Sequence, residues 1–281
     1  MRIASVSCLC LIVVAVLGVA VQGVADLESF DPIVIMDDND FNSDHGVRYG
    51  TGSLEDPYVI SGWKIDAQSD DACIRIENVD SMFRIEHCAL FNADRHAIRL
   101  ANVEHARINT CCIANSRRGV QWSFCRESCI SGCSFVDINC EAVELIQSSG
   151  CKVRSCLFTK AAPAIGSRSG SIGNEFVENV FLASCQWAIR LDPQCGGNLI
   201  TRNDIYPTFF ACSSDSYNRW TDAEGNGNFW SRYRGEDRDE DGVGDSYYRI
   251  LGEAREFDQH PAMTPFHPEA PSEWNLCIDD G

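Results

Sequence analysis

Lysine is almost missing from this chain and stands only at Lys64, Lys152 and Lys160. Arginine supplies most of the positive charge, and acidic residues outnumber both, leaving a formal net charge of -18. So acidic a chain repels nucleic acid and anionic lipid. It suits a neutral ligand, a cation, or an anionic glycan bridged by calcium. Methionine is scarce too, at four residues, and the sequence has no H-x-x-x-H or C-x-x-C pair. Little is left for a soft-metal site. No G-x-S-x-G nucleophile motif is present. Only one long apolar run occurs, over residues 8–21. It follows Arg2, precedes small residues, and falls short of the roughly 20 residues a spanning helix needs. Residues 1–25 therefore read as a signal peptide. That reading expects an exported protein, whether periplasmic, secreted or on the cell surface, with no stable membrane span after cleavage.

What the chain does have is a repeat. Cys88, Cys111, Cys133, Cys156, Asn179 and Asn203 recur at steps of 22 to 24 residues. Two apolar columns keep pace: Ile85, Ile108, Ile130, Val153, Phe176, Ile200, and Leu90, Ile113, Phe135, Phe158, Phe181, Ile205. A third is Ile98, Val120, Val143, Ile165, Ile189, each member preceded by Ala or Gly. A period near 23, with short β-branched segments and no helical spacing, marks a solenoid of β-strands. The expected fold is all-β: a right-handed parallel β-helix of about seven coils, each stacked about 4.8 Å above the last. The expected boundaries are an N-terminal cap over 26–57, coils over 58–206, a C-terminal cap over 207–268 and a loose acidic tail over 269–281.

Sixteen cysteines in an exported chain suggest disulfides. The column of Cys88, Cys111, Cys133 and Cys156 argues otherwise, because stacked side chains point the same way. These four read as free thiols packed as small hydrophobes. Cys125, Cys129, Cys151, Cys195, Cys212 and Cys277 remain as disulfide candidates.

Strand alternation assigns outward positions. Arg75, Arg99, Gln121, Glu144, Gly166 and Arg190 form one exposed stripe, flanked by turn residues His96, Arg118, Glu141, Pro163 and Trp187. The stripe is either a solvated sheet face or a shallow groove for an extended ligand such as a glycan. Glu141 and Glu144 share a coil near Arg118 and Arg99, and paired carboxylates are what glycan hydrolysis uses.

The sharpest motif is Asp237-Arg238-Asp239-Glu240-Asp241-Gly242-Val243-Gly244-Asp245. Oxygens at alternate positions followed by Gly can wrap calcium. Asp237, Asp239, Asp241, the Val243 carbonyl and Asp245 are the expected ligands. The Glu of an EF-hand is missing, so a remote acid such as Asp258 would have to complete the shell. The metal's role would be structural.

The stretch Gly50-Thr51-Gly52-Ser53-Leu54-Glu55-Asp56-Pro57-Tyr58-Val59-Ile60-Ser61-Gly62-Trp63 resembles the opening of NosD-like right-handed parallel β-helix proteins with their CASH-type carbohydrate-binding and sugar-hydrolase repeats. Gly227-Asn228-Phe229-Trp230-Ser231, the Asp-Gly loop and Asp258-Gln259-His260-Pro261 resemble their close. The resemblance implies an exported β-helix. It also raises copper, since NosD itself assists assembly of the copper site of nitrous oxide reductase alongside a membrane transporter. Two expectations follow. One is a non-catalytic exported binding or surface protein, whose partner is an extracellular polysaccharide or a surface or periplasmic protein. The other is a polysaccharide lyase or glycoside hydrolase of the β-helix type.

Overall fold

The computed structural model describes residues 27–68, 70–182, 187–206, 210–214 and 216–268. The expected signal peptide and tail lie outside them. Among the described residues, no helix is long and apolar enough to cross a membrane.

Each repeat folds into one coil of three short strands. Phe83–Glu86, Ala89–Phe91 and His96–Val103 make one coil, and Arg107–Asn109, Cys112–Ala114 and Arg118–Ser123 make the next. Equivalent strands pair in parallel and build three sheets. Sheet 1 runs from Tyr58–Ser61 to Leu199–Thr201, with Val47–Tyr49 antiparallel on its edge. Sheet 2 runs from Glu28–Ser29 to Phe229–Trp230, and sheet 3 from Ile33–Ile35 to Phe210–Ser214. The result is a parallel β-solenoid of about seven turns, as the period requires.

The predicted apolar columns are the inner walls. Leu90, Ile113, Phe135, Phe158, Phe181 and Ile205 are consecutive partners in sheet 2. All are buried, and the Phe135, Phe158 and Phe181 rings stack at 4.9 and 5.0 Å, close to the spacing of the strands that carry them. Each such side chain contributes about 1.5–3 kcal/mol by leaving water. At Gly119 the small residue before the sheet 3 column has a packing cause. A Cβ on Gly119 would lie 2.2 Å from the Ala142 carbonyl oxygen.

The turns explain the cysteine and asparagine column. Between sheets 1 and 2 the chain bends through one left-handed residue: His87, Thr110, Gly132, Ser155, Glu178 and Arg202 have φ between 51 and 60°. The next residue turns its side chain inward and serves the backbone of the coil before it. Asn203 Oδ1 accepts from Asn179 N at 2.9 Å, and Asn179 Oδ1 accepts from Cys156 N at 3.1 Å. In earlier coils thiols do this more weakly. Cys133 Sγ accepts from Cys111 N at 3.4 Å, and each thiol donates to a nearby carbonyl. Cys88, Cys111, Cys133 and Cys156 are free and buried.

A second ladder corrects the disulfide candidates. Cys151 precedes Asn174 and Asn198 in the turn between sheets 3 and 1, and Cys151 N donates to Asn174 Oδ1 at 2.9 Å. Cys125 occupies another inward turn position, its N–H bound to Ser148 Oγ. Cys125, Cys129, Cys151 and Cys195 are free, because they stack along the axis with parallel side chains or, like Cys129, stand outward on sheet 1. Only the backbone of Cys212 is described, and Cys277 lies outside the described residues.

The caps interlock with the sheets more than the period suggests. Glu28–Ser29 and Ile33–Ile35 already pair in parallel with the first coil. Phe210–Ser214 and Phe229–Trp230 extend the sheets beyond Tyr206. At the N-terminal end Trp63 Nε1 donates to the Gly46 carbonyl at 2.7 Å, under the Arg48 guanidinium.

Asn203→Ala tests the ladder. It takes a partner from Asn179 N, from the Phe176 carbonyl and from one hydrogen of Asn179 Nδ2, which keeps its bond to the Val153 carbonyl. Each unmet group costs about 1–3 kcal/mol, and the cost of Cys133→Ala should be smaller because a thiol is the weaker acceptor. Urea denaturation of both variants checks the order. Equal losses would mean the asparagine bonds add nothing.

Candidate ligand-binding face

The outer surface of sheet 3 carries the predicted stripe in register. Arg75 pairs with Arg99, Arg99 with Gln121, Gln121 with Glu144, Glu144 with Gly166, and Gly166 with Arg190. His96, Arg118 and Trp187, expected in turns, are instead the first residues of their strands. His96 and Arg118 follow directly on the bend from sheet 2.

The stripe is not uniformly exposed. Glu144 is buried and so is Glu141, each gripped by arginines from both neighbouring coils. Arg118 Nε lies 3.0 Å from Glu141 Oε2 and 3.3 Å from Glu144 Oε2. Arg168 holds the other oxygens of both carboxylates, with Nη1 at 3.2 Å from Glu144 Oε1. Gln121 Nε2 donates to Glu144 at 2.7 Å. Further along, Arg75 and Arg99 both reach Glu77 at 2.8 Å, and Arg190 reaches Asp192 at 3.1 Å. The arginines hold Glu77 below the usual carboxylate range, its Arg75 hydrogen bond being the largest cause.

Alternation stopped at the stripe missed three of these partners. Glu77, Arg168 and Asp192 stand two residues past Arg75, Gly166 and Arg190, so they share the outward face. An R-x-E or R-x-D step along a strand was the available signal.

His96 lies between these groups. It is 2% exposed, and neither ring nitrogen has a hydrogen-bond partner among the described residues. Burial, then the charges of Arg118 and Arg99, lowers its pKa to about 4, with Asp71 opposing and Arg95 adding. A neutral imidazole offers one donor and one acceptor. Buried polar groups left unpaired are uncommon in folded proteins and mark places where water or a ligand completes the bonding.

The aspartate loop sits in the C-terminal cap. Ligand atoms of Asp237, Asp239 and Asp241 lie within 4.8 Å of one another. Val243 is pinned by a bridge to Ala262, while Asp245 Oδ2 accepts from Arg238 N at 3.0 Å. Asp258 is not the remote ligand expected. It is fully buried and accepts from Asn228 N at 2.7 Å and Trp230 Nε1 at 2.8 Å, closing the asparagine ladder. Among the described residues this loop is the one grouping of three such side chains. Its hard oxygen donors suit calcium and do not fit copper.

A family model for the right-handed β-helix region matches residues 26–181. The chain belongs to that family. No curated protein sequence matches this β-helix. Among solved structures, the alginate lyase from Paenibacillus sp. str. FPU-7 matches 67% of this chain and 95% of its own, at 11% identity and a TM-score of 0.42. So loose a likeness carries no argument about activity.

Cys73, Cys125 and Cys151 are poor nucleophiles. Burial raises Cys73 and Cys125 to about 12 and Cys151 to about 11. The nucleophilic form is the thiolate.

His96 makes a pH prediction. Its folded pKa, about 4, lies below the free value of 6.5. Between these values the unfolded chain binds the proton and the folded one does not, so stability falls as pH drops from 6.5 toward 4. His96→Gln should flatten that part of the profile. Unfolding free energies of both proteins across that range give the comparison, and parallel curves would refute the assignment.

Proposed function

We propose that this β-helix is an exported, non-catalytic binding protein whose sheet 3 outer face holds an extended polyhydroxylated ligand, a glycan. The observation that carries the reading is His96, buried and, among the described residues, unpaired near Arg99 and Arg118. Sugar hydroxyls both donate and accept, which is what a neutral imidazole and the guanidinium groups along one ladder can answer, with Glu141 and Glu144 holding Arg118 and Arg168 in place. Arg75 and Arg190 extend the same register toward either end. Trp187, half-buried at the start of its strand, supplies an aromatic body of the kind that packs on an apolar ring face.

The Glu141–Glu144 pair favours a second reading, a β-helix glycoside hydrolase or polysaccharide lyase. Both carboxylates reach one Arg118 Nε, so they sit nearer than the roughly 6.5–9.5 Å of an inverting pair. Against it, Arg118 and Arg168 occupy the oxygens that proton transfer would use. The NosD-like end motifs suggest an accessory role in copper-site assembly, but the described residues present no donor set for copper.

Retention on insoluble polysaccharides tests the first reading. Wild type should be retained by at least one member of a neutral and acidic glycan panel. His96→Ala with Trp187→Ala should elute early while keeping its melting temperature. No retention by wild type leaves the face as plain surface. Release of reducing ends or unsaturated products, abolished by Glu144→Gln, would favour the second.

Calcium belongs to the same reading as a structural ion. Asp237, Asp239, Asp241, the Val243 carbonyl and the second oxygen of Asp245 would hold it, neutralising acids that otherwise repel. A ligand bound only by the folded state adds about 2.7 kcal/mol at 100-fold excess over Kd. Chelator should therefore lower the melting temperature, and calcium should restore it better than magnesium. Asp239→Asn with Asp241→Asn should erase that response. Equal melting temperatures in chelator and millimolar calcium would remove the ion from the structure.

A further inference from the structure

The strands of sheet 3 end in bends through the left-handed region, and Phe124 is out of place in one of them. Asn78, Asn102, Phe124, Gln147 and Ser169 occupy these bends on consecutive coils, with φ between 48 and 58°. A bulky side chain is strained there, whereas Asn is among the residues that tolerate it best. Among the described residues, Phe124 is the only apolar side chain at positive φ. Its ring gains little from folding in return, because Phe124 is 55% exposed. The residue suits neither the backbone at this bend nor the core. Left-handed strain of this kind gathers at sites that hold ligands.

We propose that Phe124 is the stacking platform of a second sugar site, one that takes a neutral pyranose. The ring stands in a surface recess of about 380 Å³ lined by Asn102, Glu104, Phe124, Arg126 and Gln147. That volume is at the low end for small-molecule sites and suits one or two sugar rings. Asn102 and Gln147 hold the equivalent position one coil before and one coil after, so a carboxamide flanks the phenyl ring on either side. Asn102 Nδ2 donates to Asn78 Oδ1 at 3.2 Å, which fixes the side chain at the rim. An amide has a second hydrogen and a carbonyl oxygen to offer a ligand. Arg126 Nη1 lies 3.2 Å from Glu104 Oε1, so the two charges of the recess cancel. The recess therefore joins an apolar ring face to hydrogen-bonding groups without net charge. A pyranose has the matching form, with C–H groups on one face for the aromatic ring and hydroxyls at its edge. A uronic acid or an amino sugar would bring a charge that nothing in the recess balances. The site is separate from the ladder that carries His96. Phe124 stands three residues past Gln121, about 10 Å along the strand. His96 and Trp187 begin their strands, so they lie at the opposite strand end.

Saturation-transfer NMR tests the site, with the methyl glycosides of glucose, galactose and mannose as probes and methyl glucuronide as the charged control. Wild type should transfer saturation to the ring C–H protons of at least one neutral glycoside, and less to the glucuronide. Phe124→Asn should lose the transfer and melt no lower than wild type, since Asn is better suited to the bend. His96→Ala with Trp187→Ala should keep the transfer, which distinguishes this site from the sheet 3 ladder. Absence of transfer to every neutral glycoside would overturn the proposal, and so would transfer to the glucuronide as strong as to the neutral probes. Unchanged transfer in Phe124→Asn would overturn it too. Transfer lost in His96→Ala with Trp187→Ala would assign the sugar to the ladder instead. A lower melting temperature for Phe124→Asn would make Phe124 a packing residue and remove the ground for the site.

Discussion

Every coil has to pass through residues in the left-handed region, and the structure depends on how those bends are held. A side chain at positive φ is disfavoured by about 1–2 kcal/mol, with Asn and Asp the more tolerant residues. Here the cost recurs at His87, Thr110, Ser155, Glu178 and Arg202 in one turn column alone. It is offset by the residue that follows each bend, which buries a small hydrogen-bonding side chain against the coil before it. The bend gives the coil its corner, and the ladder fixes each corner on the one above. Register across the sheets then follows, and with it the stacking of Phe135, Phe158 and Phe181.

The ladder changes chemistry along the axis. Cysteines serve the first four coils and asparagines the rest. An asparagine donates and accepts with strong groups, whereas a thiol is weak in both roles. The C-terminal half is therefore the better cross-linked in hydrogen bonds. Such a ladder cannot simply stop, because its last member would leave a buried amide unmet. Asp258 ends one column at Asn228, and Glu256 ends the other at Asn218 while accepting Trp220 Nε1 at 2.6 Å. Burial raises the Asp258 carboxyl above its ordinary value, and its bonds from Trp230 and Asn228 oppose that rise. A carboxylate suits the position since it accepts without requiring a further acceptor below it.

Much of this was legible in the sequence because a solenoid repeats its constraints. Leu90, Ile113 and Phe135 were assigned to one wall by spacing alone, and Arg99, Gln121 and Glu144 to one outer ladder. The losses came where a residue answers to something outside its own coil. Glu144 was placed as exposed because alternation gives direction, not burial; Arg118 and Arg168 from the two adjoining coils cover it. Cys125 and Cys151 were held for disulfides because their columns change to Ser and Asn, which hides the ladder. Asp258 was offered as one remote acid to complete the metal loop, while its partners, Asn228 and Trp230, are 30 and 28 residues away in sequence.

The same reasoning separates the three outer faces. A parallel sheet buried on one side imposes no chemistry on the other, so each outward column is free to answer to what lies over it. On sheet 1 that is water over Arg107, Lys152 and Arg154. On sheet 3 the acids are buried under arginines, and a neutral histidine finds no hydrogen-bond partner among the described residues. That arrangement costs stability in the free protein. The discrepancy between what folding needs and what the face contains is strongest at His96, Glu141 and Glu144, and this is the physical ground for the proposal that a ligand binds there.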